Sequence, residues 1–364
     1  MAALAVVRLA PGRLHLIGDR LDGGPQRFHV RVTPRVGGVA IFFGALAGGL
    51  LFADSGFMKG REVTLVLLAS IPIFCAGLAE DLSKRVSARD RLFMSFAAAA
   101  IGFLFLEAQL RSLHLPFLDP LLGLTPFAFV LTLVAVGGVA HAFNIIDGYN
   151  GLAAMVGIIV FAALGFVGYQ VGDTFVLGIC LTMAGALAGF LVWNFPRGAL
   201  FAGDSGAYLL GFMVAETSVL LVARNQEVSP WFPMLLSVYP VWETLFSIYR
   251  KWGLRGRSPN MPDGLHLHML IYKRLVRFRI GSKLPEDKVW RNSLTSPYLW
   301  ALSSLTAIPA VVFWDSTPLL MLSCGLFAVT YCTLYRAIVH FRVPKWLVLR
   351  VRVKPGIAPT KERG

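Results

Sequence analysis

Apolar runs of about 17–25 residues recur along most of this chain, and they decide what it can fold into. A helix of that length crosses the ~30 Å hydrocarbon core of a bilayer. Inside that core every backbone amide must be paired within its own helix or around a closed barrel. The runs are continuous and lack the polar–apolar alternation of a barrel strand, so helices are expected. They fall at roughly 36–54, 63–79, 92–108, 124–143, 151–169, 174–193, 207–223, 231–249, 297–314 and 317–341. The expectation is an all-α, polytopic integral membrane protein with about 10 transmembrane helices. Residues 1–35 are expected to form an N-terminal segment, 36–341 the membrane domain with a large loop at 250–296, and 342–364 a basic tail.

The net charge of +14 would suggest nucleic acid in a soluble protein. In a membrane chain it reads as orientation, because Lys and Arg are retained on the cytoplasmic side. Of the 34 basic residues, 29 fall in the two tails and the loops at 80–91, 194–206 and 250–296. The opposite loops hold Lys59, Arg61, Arg111 and Arg224, and Arg336 lies within the last span. Both termini and those three loops are therefore expected in the cytoplasm, with no nucleic-acid partner. Arg8, Pro11, Gly12 and Arg13 interrupt the first 20 residues, so no cleaved signal peptide is expected. Cys75, Cys180, Cys324 and Cys332 lie within spans without ligand or disulfide spacing, and read as packing residues.

Four acidic residues follow even-numbered spans: Glu80-Asp81, Asp147 and Asp204. Even-numbered spans end on one membrane face, so these carboxylates can meet there. Such a cluster invites a divalent cation and a phosphorylated substrate. Asn144 and Asp147 are spaced i, i+3, on one helix face, with Gly148 and Gly151 permitting a turn. The Gly203-Asp204-Ser205-Gly206 turn opens an apolar run; its amides would favour phosphate and its carboxylate would suit Mg²⁺. The blander reading of each motif is a polar helix end, with Asp204 or Ser205 as an N-cap. His266 and His268 follow Pro262-Asp263-Gly264 without a nearby Cys or third His, which suits a diphosphate better than zinc. Ser205 is not a hydrolase elbow, because Ala207 stands where the second Gly of G-x-S-x-G belongs.

Five motifs occur in order: RFHVRVTPRVGG (27–38), GLAEDL (77–82), NIIDGYNGLA (144–153), NFPRGALFAGDSG (194–206) and PDGLHLH (262–268). Together they resemble the polyprenyl-phosphate N-acetylhexosamine-1-phosphate transferase family, whose members start O-antigen and teichoic acid linkage units and include the peptidoglycan translocase. The resemblance implies transfer of a sugar-1-phosphate from a UDP-sugar to polyprenyl (undecaprenyl) phosphate, with release of UMP. It implies a bacterial inner-membrane, multi-pass enzyme facing the cytoplasm, dependent on Mg²⁺ with Mn²⁺ as a substitute, and forming a homodimer. Carried over motif by motif, Asp204 is the metal-binding aspartate, and Glu80-Asp81 matches a pair that deprotonates or orients the lipid phosphate. Asn144, Asp147 and Asn150 match an element contacting phosphate and uridine, Phe201 an aromatic that stacks on uracil, and Asn194 an active-site amide. His266 and His268 match a histidine loop near the diphosphate.

Glu80 stands where the family has a first aspartate, and its reach is longer. Two histidines rather than three, and Asn150 where the translocase has an aspartate, argue against a muramyl-pentapeptide donor. Residues 1–20 are too short and charged for the family's usual first span, which is expected to be lacking or to lie upstream. The alternative is an ion-coupled secondary transporter, which would favour carboxylates near span midplanes and a two-half repeat. A non-catalytic membrane scaffold is the third reading.

Overall fold

The structure, a computed structural model, describes residues 33–253, 256, 264–278 and 285–351. The expected N-terminal segment before 33, Pro262-Asp263 and the end of the tail lie outside these residues. The chain is an all-α, multi-pass membrane protein. Its long helices are α1 (Gly37–Asp54), α2 (Gly60–Ser83), α3 (Ala88–Phe105), α4 (Thr125–Ile146), α5 (Leu152–Gln170), α6 (Thr174–Asn194) and α7 (Gly203–Arg224). After them come α8 (Trp231–Leu236), α9 (Val238–Ile248), α10 (Pro285–Ser293), α11 (Ser296–Val312) and α12 (Thr317–Val339).

Among the described residues, seven helices are long and apolar enough to cross a membrane: α1, α2, α4, α5, α6, α7 and α12. The other three expected spans are helical but differ in a way the sequence explains. The first turn of α3 carries Arg89, Asp90 and Arg91. The run at 231–249 breaks at Ser237 into α8 and α9, because Pro240 has no N–H to give the Leu236 carbonyl. Helix α11 has 17 residues with Pro309 inside it.

Helix α7 is the axis of the bundle. Every residue from Gly203 to Leu221 is buried, and α1, α2, α4 and α5 pack around it. Outer helices instead present large apolar side chains outward, such as Leu51 at 71% and Val192 at 76% exposure, as a lipid-facing surface requires. Without a hydrophobic drive between helices in lipid, close backbone approach matters most. Gly77 supplies it where α2 crosses α7: a Cβ there would lie 2.6 Å from the Ser205 backbone.

The segment around 265–279 is expected to be a short amphipathic piece facing lipid or protein. It forms a helical turn at Leu267–Leu270 continued by a wider turn at Ile271–Leu275. Leu267, Leu270 and Ile271 are all buried, so the apolar face meets protein. The start of the tail is tied to the large loop: β2 (Leu349–Val351) pairs in parallel with β1 (Val276–Phe278).

One methyl group tests the α2–α7 crossing. Gly77→Ala is expected to destabilise the detergent-purified protein by about 1–3 kcal/mol, the usual range for overpacking. Gly138→Ala, at a site with no atom within 4 Å of the added carbon, is the control. Equal thermal unfolding midpoints for the two variants would contradict this packing.

Candidate active site

The start of α7 has no cap of its own, since Ala202 precedes it with helical dihedrals and no side-chain hydrogen bond. Helix α2 supplies the cap from outside. Asp81 Oδ1 accepts the Asp204 N–H at 2.8 Å, and Oδ2 accepts the Ser205 N–H at 2.9 Å and the Ser205 hydroxyl at 2.7 Å. Asp81 is only 1% exposed. A carboxylate there also meets the positive end of the helix dipole. Gly203 makes the approach possible: it sits at φ +71°, and a Cβ would fall 2.0 Å from the Arg35 carbonyl and 2.5 Å from Asp81 Oδ2.

The segment before α1 is laced to the segment before α7. The Phe201 N–H donates to Pro34 O, Gly37 N–H to Phe201 O and Gly38 N–H to Ala202 O, each at 2.9 Å. This lacing sets Arg35 beside Asp204, with its Nη2 donating to Oδ1 at 3.4 Å. From α3, Arg91 Nη1 donates to the other carboxylate oxygen, Oδ2. The Arg91 guanidinium also lies over the Tyr208 ring, 5.6 Å from its centroid. Asp204 is therefore a buried carboxylate held between two guanidinium groups at a capped helix start.

Asp147 ends α4 as its C-cap. It is half-buried by exposed area and closely surrounded by protein. Burial pushes its carboxyl up to about 7; Arg35 pulls it down and Asp81 pushes it up. Those two influences place Asp147 within electrostatic reach of the Asp81–Asp204 cluster. The histidine loop closes over the next residues. A Cβ on Gly148 would lie 3.6 Å from His268 Nε2, and the Tyr149 ring meets the His268 ring edge-on at 5.5 Å. His266 stacks on His268 with ring centroids 5.2 Å apart and planes 9° from parallel.

The remaining residues singled out from sequence are placed as follows. Glu80 is half-buried, and its Oε2 accepts the Val86 N–H at 2.9 Å, so it tightens the loop after α2. The Asn144 carbonyl accepts the Asp147 N–H at 3.3 Å. Asn194 is a loop lock: its Oδ1 accepts the Gly151 N–H, and its Nδ2 donates to Leu200 O at 2.7 Å. Asn150 locks the same region, with Nδ2 donating to Pro196 O at 3.0 Å and Ser293 Oγ at 3.2 Å. Phe201 is half-buried one turn from Asp204, and its backbone is engaged by Pro34 and Gly37. Asp81, Asp147, Asp204 and the histidine loop thus gather at one end of the bundle, while Asn150 and Asn194 shape its loops.

Two residues of this cluster escaped the sequence reading. Arg35 and Arg91 counted there only as orientation charges, although Arg35 lies within the RFHVRVTPRVGG motif and Arg91 follows the Glu80-Asp81 pair by ten residues. Two buried carboxylates inside apolar runs were also passed over. Glu243 is 0% exposed, and Glu216 is 1% exposed midway along α7. Both Glu216 oxygens lie without a hydrogen bond among the described residues, in the notch left by Gly102. A charged residue within an apolar span was the available signal for both.

Magnesium uses few protein carboxylates and completes its shell with water and substrate phosphate. Among the described residues no group of three or more His, Cys, Asp or Glu side chains forms a full metal cage. Asp204 is a single buried carboxylate of the kind such a sparse donor set uses, and Arg35 and Arg91 supply positive charge beside it.

The sequence matches the profile of "Glycosyl transferase family 4" over residues 63–222. It is 28% identical to a probable undecaprenyl-phosphate N-acetylglucosaminyl 1-phosphate transferase of Bacillus subtilis, over 71% of this chain and 70% of that protein. It is 29% identical to the undecaprenyl-phosphate alpha-N-acetylglucosaminyl 1-phosphate transferase of Salmonella typhi, over 68% and 67% of the two chains. A decaprenyl-phosphate N-acetylglucosaminephosphotransferase of Mycobacterium tuberculosis is 28% identical over 74% and 73%.

The Asp81 cap predicts a stability loss. Asp81→Ala leaves two amides and a hydroxyl at the start of α7 without their acceptor, and is expected to cost about 1–3 kcal/mol or more. An unchanged thermal midpoint in detergent would contradict the cap. Asp147 predicts a pH dependence. The folded protein keeps its proton up to about pH 7, the unfolded chain only up to about pH 4. Between those values the folded state binds more protons, so this group's stabilising contribution is lost as pH rises through the window. Asp147→Asn should lose less thermal stability than the parent between about pH 5 and pH 8. An equal loss would contradict the burial of Asp147.

Proposed function

We propose that the chain is a member of the polyprenyl-phosphate N-acetylhexosamine-1-phosphate transferase family, glycosyl transferase family 4, and that it moves an N-acetylhexosamine-1-phosphate from a UDP-sugar to undecaprenyl phosphate. A lipid phosphate oxygen attacks the sugar-bearing phosphorus, the bond between the two phosphorus centres' bridging oxygen and that phosphorus breaks, and UMP leaves with the bridging oxygen. The product is a lipid diphosphate sugar that starts a cell-envelope polysaccharide of the O-antigen type. The observation that carries this reading is Asp204, held between Arg35 and Arg91 at a helix start that a second carboxylate caps.

Transfer between two anions is a problem of positioning and charge neutralisation. Arg35 and Arg91 are placed to receive phosphate oxygens once Asp204 is engaged by a cation. Asp204 and Asp147 would hold Mg²⁺, which supplies charge neutralisation on the diphosphate when bound. Asp81 keeps Asp204 in place, and its three accepted hydrogen bonds argue for that role over proton abstraction. In this reading Glu80 would orient the lipid phosphate, Asn144 would contact the diphosphate, Phe201 would stack on the uracil, and Asn150 and Asn194 hold the loops around the site. The histidine loop contacts the diphosphate from the other side. The names of the bacterial relatives support a polyprenyl acceptor and an N-acetylglucosamine-type donor. The distribution of 29 of 34 basic residues supports a cytoplasmic active site in the inner membrane. A transporter would centre on Glu216, buried midway along α7. The motif residues gather at helix ends instead.

Purified protein incubated with Mg²⁺, undecaprenyl phosphate and a panel of UDP-sugars is expected to release UMP with UDP-N-acetylglucosamine or a close relative. Asp204→Asn should lower turnover by roughly 100-fold or more, the scale of losing one electrostatic stabiliser. Absence of UMP release from every donor, or near-parental turnover in Asp204→Asn at low Mg²⁺, would overturn the proposal.

A further inference from the structure

Glu243 lies on α9 facing α12 and the histidine loop, wholly buried. A carboxylate so placed persists only when it is fully hydrogen-bonded. Its Oε1 contacts His266 Nδ1 at 2.8 Å, and its Oε2 accepts the Tyr331 hydroxyl of α12 at 2.7 Å. The Leu267 N–H is shared between both oxygens at 3.2 and 3.3 Å. An ionised carboxylate only accepts, so Nδ1 of His266 must carry a proton. Any contact from this ring to a ligand then falls to Nε2. The ring is pinned on its face as well, by the parallel stack on His268, which in turn meets Gly148 and Tyr149 beside Asp147.

We infer that Glu243 is a positioning residue of the transferase: it fixes the tautomer and orientation of His266, so that Nε2 is the nitrogen presented to the diphosphate. This inference rests on the proposed transferase reading. The contact thereby ties α9 and the long, apolar α12 to the histidine loop. A carboxylate behind a histidine sets which ring nitrogen is available. Nothing in the linear motif PDGLHLH signals this partner, which lies 23 residues before His266.

Two readouts test it. The first is ¹⁵N NMR of histidine-labelled full-length protein in detergent, with His266 assigned by loss of its signals in His266→Asn. The expected result is an Nδ1-protonated ring in the parent and a tautomer mixture in Glu243→Gln, which keeps the shape and one acceptor. An Nε2–H tautomer in the parent would overturn the inference. The second is UMP-release kinetics. Glu243→Gln is expected to lower kcat about tenfold or more with little change in KM for the UDP-sugar, the signature of an interaction made in the transition state. The double variant with His266→Ala should fall no further than His266→Ala alone. Tyr331→Phe, which removes a different bond to the same carboxylate, should leave kcat near the parent value. Losses that multiply in the double variant, or an equal kcat loss in Tyr331→Phe, would overturn the positioning role in favour of simple support of the fold. If the parent releases no UMP with any donor, the transferase reading fails and the role in that reaction with it. The NMR result still decides whether Glu243 orients His266.

Discussion

One carboxylate, Asp81, holds the start of α7, the most buried of the long apolar helices among the described residues. It belongs to α2, yet it satisfies two amides and a hydroxyl of α7 that no local residue caps. A helix end buried without partners is costly, because four amides at its start lack intrahelical acceptors. Solving that cost from a neighbouring helix links two elements separated by more than 100 residues. The same link fixes Asp204, whose own amide is one of the capped groups. Cap and candidate metal ligand are consecutive consequences of a single contact.

The rest of the site follows from how closely backbones approach there. Gly77 lets α2 meet the Ser205 backbone, and Gly203 leaves room for Asp81 and the Arg35 carbonyl. The chain before α1 can then run alongside Phe201 and Ala202, carrying Arg35 to Asp204. Arg91 arrives from α3 along the ring of Tyr208. Opposite charges near a buried carboxylate lower the cost of its ionisation. They also leave cationic groups where phosphate oxygens would come to rest. The geometry serves stability, and in the proposed reaction the same groups would meet the diphosphate.

Much of this was legible in the linear chain, for physical reasons. Long apolar runs announce helices because lipid leaves the backbone no other option, and among the described residues seven helices satisfy length and composition outright. The run at 231–249 misled only in continuity, where Pro240 interrupts it. Counting spans placed Asp81, Asp147 and Asp204 at one end of the bundle, and the geometry agrees. Their division of labour was not legible. Asp81 as a cap, and Asn150 and Asn194 as loop locks, depend on contacts between residues far apart in sequence. Arg35 and Arg91 were hidden by the abundance of other basic residues on the same side. Glu243 was hidden within an apolar run, where its partners come from a loop and from α12.

We propose that Asp204, with its two arginines, grips a metal-bound diphosphate. The most direct test is anomalous diffraction from crystals grown with Mn²⁺ and a UDP-sugar. A manganese peak is expected about 2 Å from an Asp204 carboxylate oxygen, with the diphosphate reaching Arg35 and Arg91. Manganese and diphosphate bound away from Asp204, with both arginine pairs still in place, would contradict it.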